Sequence, residues 1–286
     1  ELLDITEKKK IGLSLPSLRI DNFSLELMNK VQKVRKSGIT FAPEAGTQRL
    51  RDVINKNITE ENIMQSTSRL FRGGWTNVKL YFMIGLPTET EDDVLGIATL
   101  AEAVLGKYFE IPKEERAKNI NITVSTSSFI PKPFTAFQWS KQDTREEIIK
   151  KQELLKKAIT SKRIRYNWHD NKVSYLEGVF ARGDRRLSKA VVRAVELGCK
   201  FDAWNDFFMY DTWMKAFEET GINPDFYLRE RYYSECLPWD HIDVGVTKSF
   251  FMNENEKAKL AQTTPNCREK CAGCGIKSFG TGVCYE

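Results

Sequence analysis

Two groups of residues in this chain are of types that can do chemistry, the second at a spacing that points to metal. The first is Glu44, then Lys56 twelve residues on, then the bend Gly85-Leu86-Pro87. A carboxylate can accept two donors at once, an ammonium can meet an anion, and a glycine lets a ligand approach the backbone closely. The second is Cys267-x3-Cys271-x2-Cys274 with Cys284, four of the six cysteines gathered in the last twenty residues. Four thiolates so close together suit a closed zinc site or an iron-sulfur cluster. With only two histidines, His169 and His241, catalysis by several histidines or a multi-histidine metal site is set aside.

Composition narrows the field further. At 286 residues and 41% hydrophobic, the chain can bury one large core or two modest ones. Six cysteines are too few for a disulfide scaffold, and Cys199 and Cys236, standing alone, are expected as buried thiols. A balance of 44 basic against 39 acidic residues, +5 overall, is a mixed surface that permits nucleic acid without indicating it. The charged opening Glu1 to Lys10 has no apolar signal-peptide core, and no apolar run reaches the roughly 18 residues of a membrane helix, so the expected location is the cytoplasm.

The elements that must position the first group alternate. Leu15 to Asp21 reads as a strand, followed by a helix capped by Ser24 and ended by Gly38. Ile39 to Pro43 is a second strand, stopping at Glu44-Ala45-Gly46-Thr47 before a helix around Gln48 to Ile54. Thr59 opens a helix closed by Gly73-Gly74. Val78 to Ile84 is a third strand, apolar enough to be covered on both faces. Thr90 and Asp93 predict a capping box for the next helix, and Ile120 to Ser127 is the fourth strand. Such alternation predicts parallel βαβ units with ligands at the carboxyl ends of the strands, where Glu44 and Gly85 to Glu89 fall. On the residues alone, Glu44 can equally be a dipole partner for the next helix, Lys56 a solvated surface charge, and Gly85-Leu86-Pro87 simple punctuation.

Ala42-Pro43-Glu44-Ala45-Gly46-Thr47, then Asn55-Lys56-Asn57-Ile58-Thr59, then Phe82 to Thr90 resemble, in order and spacing, radical S-adenosylmethionine (SAM) enzymes. The similarity is greatest to the Elp3/MiaB-like branch and, through Ser14 to Asp21 and Leu237 to Val246, to an uncharacterised group of cobalamin-binding radical SAM proteins. The resemblance implies an α/β fold: a partial (β/α) TIM-like barrel, with about strands 3 to 6 present in residues 1–140. It implies that Glu44 holds the SAM ribose hydroxyls, Lys56 the methionine carboxylate, and Gly85 and Pro87 the backbone beside the adenine. An intact enzyme of this kind cleaves SAM at a 4Fe-4S cluster to start radical chemistry, with cobalamin as a further cofactor in some members. No catalytic residue is assigned. The family's cluster loop, CxxxCxxC after the first strand, has no counterpart ahead of Cys199, so the expectation is an inactive fragment whose missing N-terminal part would need on the order of 80 residues.

The tail, residues 263–286, copies the spacing of that cluster loop but follows a mostly helical stretch, residues 141–262, rather than the first strand. Cys267, Cys271, Cys274 and Cys284 are therefore expected to hold structural zinc or an auxiliary iron-sulfur cluster, with a catalytic cluster in a rearranged barrel as one competing reading. In another, the chain is an RNA-binding or structural module built on that cysteine knuckle. Between barrel and tail, Thr144 to Arg163 reads as an amphipathic helix and Arg165 to Asp170 as a strand. Helices follow at Leu187 to Leu197 and Asp211 to Thr220, and Trp204, Trp213 and Trp239 are expected in the core.

Overall fold

The computed structural model describes residues 5–6, 9–11 and 38–280. The strand expected at Leu15 to Asp21, the helix after it, and Cys284 lie outside the described residues. Among the described residues four strands, β1 (Ile39–Glu44), β2 (Asn77–Ile84), β3 (Asn121–Ser128) and β4 (Ile164–Trp168), form one sheet in the order β1-β2-β3-β4. β1 runs parallel to β2 and β3 parallel to β4. The fold is α/β, with helices in the crossovers as parallel strands require. β4, the strand expected after the long helix, is the last member of this sheet.

Between β1 and β2 come α1 (Gln48–Val53) and α2 (Glu60–Arg72); α3 (Glu91–Phe109) joins β2 to β3, and α4 (Arg145–Ala158) precedes β4. Their starts follow local chemistry. Thr59 and Asn62 make a capping box on α2, and Thr90 and Asp93 make one on α3, so two orphan amides are satisfied at each helix N-terminus. Gly73 ends α2.

The sheet is not evenly covered. Val78, Leu80, Phe82 and Ile84 are buried, whereas Lys79, Tyr81 and Met83 between them are only half-buried, which corrects the expectation of a strand enclosed on both faces. The period of two explains it: Lys79 and Tyr81 share the face opposite the apolar set. Phe41, Leu80, Ile122 and Val124 join Ile63, Leu70, Val94, Ile97, Ala101 and Val104 from the helices in the core.

By the density of its backbone contacts the chain divides into two units, the first comprising residues 1–127, 149–169 and 261–263, the second 128–148, 170–260 and 264–286. The second is mostly helical: α5 (Asn171–Ala181), α6 (Ser188–Glu196), α7 (Tyr210–Glu219), the single turn α8 (Asp225–Leu228) and α9 (Lys248–Lys259). Its core gathers Leu176, Val179, Leu187, Trp213, Phe217 and Tyr227, and a smaller cluster holds Trp139, Leu237 and Trp239. Trp204 departs from expectation: it is 68% exposed, at the start of a short 3-10 turn beside exposed Phe201 and Phe207. Cys199 is buried as expected but Cys236 is exposed, because it sits in the loop ahead of Leu237 rather than on a packed element. Among the described residues no helix is long and apolar enough to cross a membrane.

Candidate functional site

The carboxyl end of β1 is built around an irregularity. Phe41 pairs with Leu80 but Glu44 pairs with Phe82, so three steps on β1 match two on β2. The cause lies in the sequence: Pro43 has no amide proton for the ladder, and strands tolerate proline at such bulges. A bulge re-aims the next side chain, and Glu44 follows with φ +69, a left-handed conformation that costs a non-glycine residue on the order of 1 kcal/mol or more.

Lys56 reaches the same point from the other side. After α1 the chain turns through Asn55 and Asn57, with φ +51 and +52, values that asparagine tolerates better than most residues. The Lys56 amide donates to the Arg51 carbonyl at 2.9 Å. The turn carries Lys56 Nζ to within 3.0 Å of Glu44 Oε1, with the two side chains 27% and 23% exposed. A pair this open contributes at most about 1 kcal/mol. It occupies one of a lysine's three donors and one oxygen of the carboxylate, leaving capacity for a ligand.

The loop between them is held from behind. Arg51, with no exposed surface, donates from Nη1 to the carbonyls of Ala45 and Gly46 at 3.0 and 3.4 Å, and from Nη2 to Gln48 Oε1 at 3.1 Å. Burial lowers its pKa, yet an arginine remains charged there. Gly46 presses on α3 so closely that a Cβ would lie 2.3 Å from the Ile97 amide nitrogen and 2.6 Å from the Asp93 carbonyl. Asp93 ties the pieces together. It accepts from Thr47 and Arg49 at short range and from the Thr90 amide at 2.9 Å. Burial works against its charge, but the hydrogen bonds from Thr47, Thr90 and Arg49 outweigh that and hold its pKa below the usual carboxylate range.

The end of β2 supplies the bend. The β1–β2 register sets Glu44 beside Phe82, so Gly85, three residues on, lies at the same edge of the sheet. Gly85 has φ +85 and Thr88 φ +63. The Gly85 amide donates to both oxygens of Glu89, at 2.9 and 3.1 Å, and the Leu86 amide to one of them at 3.3 Å. Glu89 was not singled out by sequence, although a glutamate four residues after a strand-ending glycine could have been tested for such an anchor.

Of the residues expected to act, Glu44 and Lys56 are thus brought into contact, and Gly85 and Pro87 stand at the same edge. Their side chains and backbone fit a zwitterionic nucleoside ligand: an acceptor for hydroxyls, a cation for a carboxylate, and an open backbone bend. Cys267 and Cys271 are exposed and Cys274 half-buried, and among the described residues no three His, Cys, Asp or Glu side chains gather as a metal site would need. Locally the tail is fixed by the Thr247 amide donating to the Cys274 carbonyl at 2.9 Å, and by Gly275, φ +100, where a Cβ would meet Thr247 Cγ2 at 2.8 Å. His169 Nε2 lies 3.2 Å from the Tyr81 hydroxyl, whereas Asp170 caps α5 and Asp240 pairs with Lys248 at 3.0 Å.

The second unit holds a cavity of about 600 Å³ lined by Lys141, Arg145, Tyr175, Tyr210, Asp225 and Arg229 among others. Tyr175 donates to Asp225 Oδ1 at 2.6 Å, and Arg145 donates to the Tyr210 hydroxyl at 3.2 Å while its guanidinium lies over the Tyr210 ring. The sequence gives no sign of this cavity because its lining comes from several separated segments.

Comparison with known families places the first site within a matched segment. Residues 1–101 match the family model for the radical SAM superfamily. These residues belong to the radical SAM superfamily. SAM and a 4Fe-4S cluster are the cofactors this superfamily implies; cobalamin does not follow from the match. An uncharacterized protein of Methanocaldococcus jannaschii is 30% identical over 222 residues, which cover 78% of this chain and 46% of that protein. The chain thus spans about half the length of the curated relative it matches. The matched segment contains Glu44, Lys56, Gly85 and Pro87 and no cysteine.

Proposed function

We propose that this chain supplies the nucleoside- and carboxylate-holding edge of a SAM site in a radical SAM enzyme. The observation that carries the reading is the 3.0 Å pair of Lys56 and Glu44, held at the sheet edge by a bulge and a left-handed residue within a segment that matches the superfamily. Strain of this kind clusters at functional positions. Glu44 is assigned to the ribose hydroxyls, Lys56 to the methionine carboxylate, and the Gly85-Leu86-Pro87 backbone to the adenine. SAM together with a reduced 4Fe-4S cluster would supply the radical chemistry; the residues of this chain bind and orient the SAM.

Titration calorimetry with S-adenosylhomocysteine, which needs no cluster, tests the reading. Saturable binding to the chain is expected, weakened roughly tenfold or more in Lys56→Met and in Glu44→Gln, since each loses a charge-assisted hydrogen bond. Unchanged affinity in both variants, or no binding by the parent chain, would overturn it.

A further inference from the structure

Glu89 is almost fully enclosed, its side chain 1% exposed, and the cation beside it is Lys151 of α4, with Nζ 2.8 Å from Oε1. Its two oxygens accept the Gly85 and Leu86 amides. Neither side chain has a part in the assignment of ribose, carboxylate and adenine. We propose that Glu89 and Lys151 form a positioning pair that fixes the Gly85-Leu86-Pro87 backbone in the one orientation able to read the purine ring; this rests on the SAM reading.

Amides that follow a strand end must find acceptors if they are buried. At this bend both turn inward to one carboxylate, so the polar edge left for a ligand is that of the backbone carbonyls. Burial pushes the Glu89 pKa above its ordinary value, with Lys151 and the two amides pulling against it. Geometry sets two carboxylate oxygens, backed by the Lys151 ammonium, beneath the bend. In Glu89→Gln an amide oxygen in the place of Oε2 could still accept both amides, but the NH2 would stand where Oε1 now meets the Gly85 amide and the Lys151 ammonium, donor against donors. The bend would then have to rotate, and a sub-ångström change in backbone direction alters which ring edge it can meet.

The chemical consequence is base discrimination. Backbone acceptors suit the exocyclic amine of adenine, which donates, and disfavour hypoxanthine, which carries an oxygen there. A site built to bond a given group rejects the analogue lacking it far more strongly than a shape-only pocket does.

The experiment titrates the full chain with S-adenosylhomocysteine and with S-inosylhomocysteine. The unmodified chain is expected to prefer the adenine compound at least tenfold. Glu89→Gln, Lys151→Met and the double variant are each expected to bring that preference close to one. Thermal melts separate this from simple unfolding. Lys151→Met, which strands a buried carboxylate, should melt lowest, and the double variant should recover most of the loss without recovering the preference. If the parent chain binds neither compound, the SAM reading fails and this inference falls with it. If the parent binds with preference and a folded Glu89→Gln keeps that preference, the inference alone is overturned.

Discussion

Replacing Gly46 with alanine tests how the loop after β1 is seated. The added Cβ would stand 2.3 Å from the Ile97 nitrogen and 2.6 Å from both the Asp93 oxygen and the Gly96 carbonyl carbon. All three are backbone atoms of α3, so none can swing aside. Ordinary contact needs roughly 3.5 Å, and the loop must therefore withdraw by about 1 Å. Overpacking typically costs 1–3 kcal/mol. Backbone pressed on backbone belongs at the top of that range, and the retreat also stretches the Thr47 and Arg49 contacts to Asp93. A loss of about 3 kcal/mol follows, equivalent to more than a hundredfold in the folding constant. Urea unfolding followed by circular dichroism should show the midpoint falling by on the order of 1 M. Gly106→Ala serves as the control: it lies within α3, nothing stands within 4 Å of its would-be Cβ, and alanine there should stabilise by roughly 0.5–1 kcal/mol. A Gly46→Ala midpoint equal to that of the parent would refute this seating of the loop.

Asp93, held below the usual carboxylate range, contributes stability that is present above pH ~4 and is lost as pH falls through its lowered folded value. The urea midpoint of Asp93→Asn should therefore be lower than the parent's at pH 7, by the equivalent of about 1–2 kcal/mol, and the gap should narrow between pH ~5 and ~3. Glu235, whose pKa is drawn down to about 2 chiefly by hydrogen bonds from Arg229, should likewise lend the second unit stability that is lost as pH falls, so Glu235→Gln should flatten that unit's acid limb. For the tail, where the described cysteines do not gather, metal analysis of chain purified anaerobically decides: about one zinc or iron, lost in Cys271→Ser, would establish the cysteine cluster as a metal centre, and a metal-free parent chain would dismiss it.

Much of the first unit is readable from its sequence because its signals are local. Ile39, Asn77 and Asn121 begin strands within a residue of where the apolar runs begin, and Thr90 with Asp93 announces its own capping box. What escaped depends on distant partners. Glu89 looks like any charged turn residue until α4 brings Lys151 to it. α5 carries Gly178, a poor helix former, and only the fold shows the close approach there, with Gln142 Oε1 1.9 Å from where a Cβ would stand. Trp204 shows the converse failure, since its size argues for burial and only the fold can show that nothing packs over it. For the site, the family resemblance suggested that Glu44 and Lys56 share a ligand but not that they would touch. The bulge that aims Glu44 was legible in Pro43, a residue that cannot complete a strand ladder.

That Lys56 and Glu44 rest on each other has a consequence for which molecules can be admitted. Each charge is the other's understudy. A visitor bringing only a carboxylate would draw Lys56 away and leave Glu44 without its counter-ion, and one bringing only hydroxyls would do the reverse. A molecule carrying both at the right separation relieves both at once, so its affinity should exceed the product of those of its halves, and free adenosine or free methionine, however abundant, should make a poor competitor.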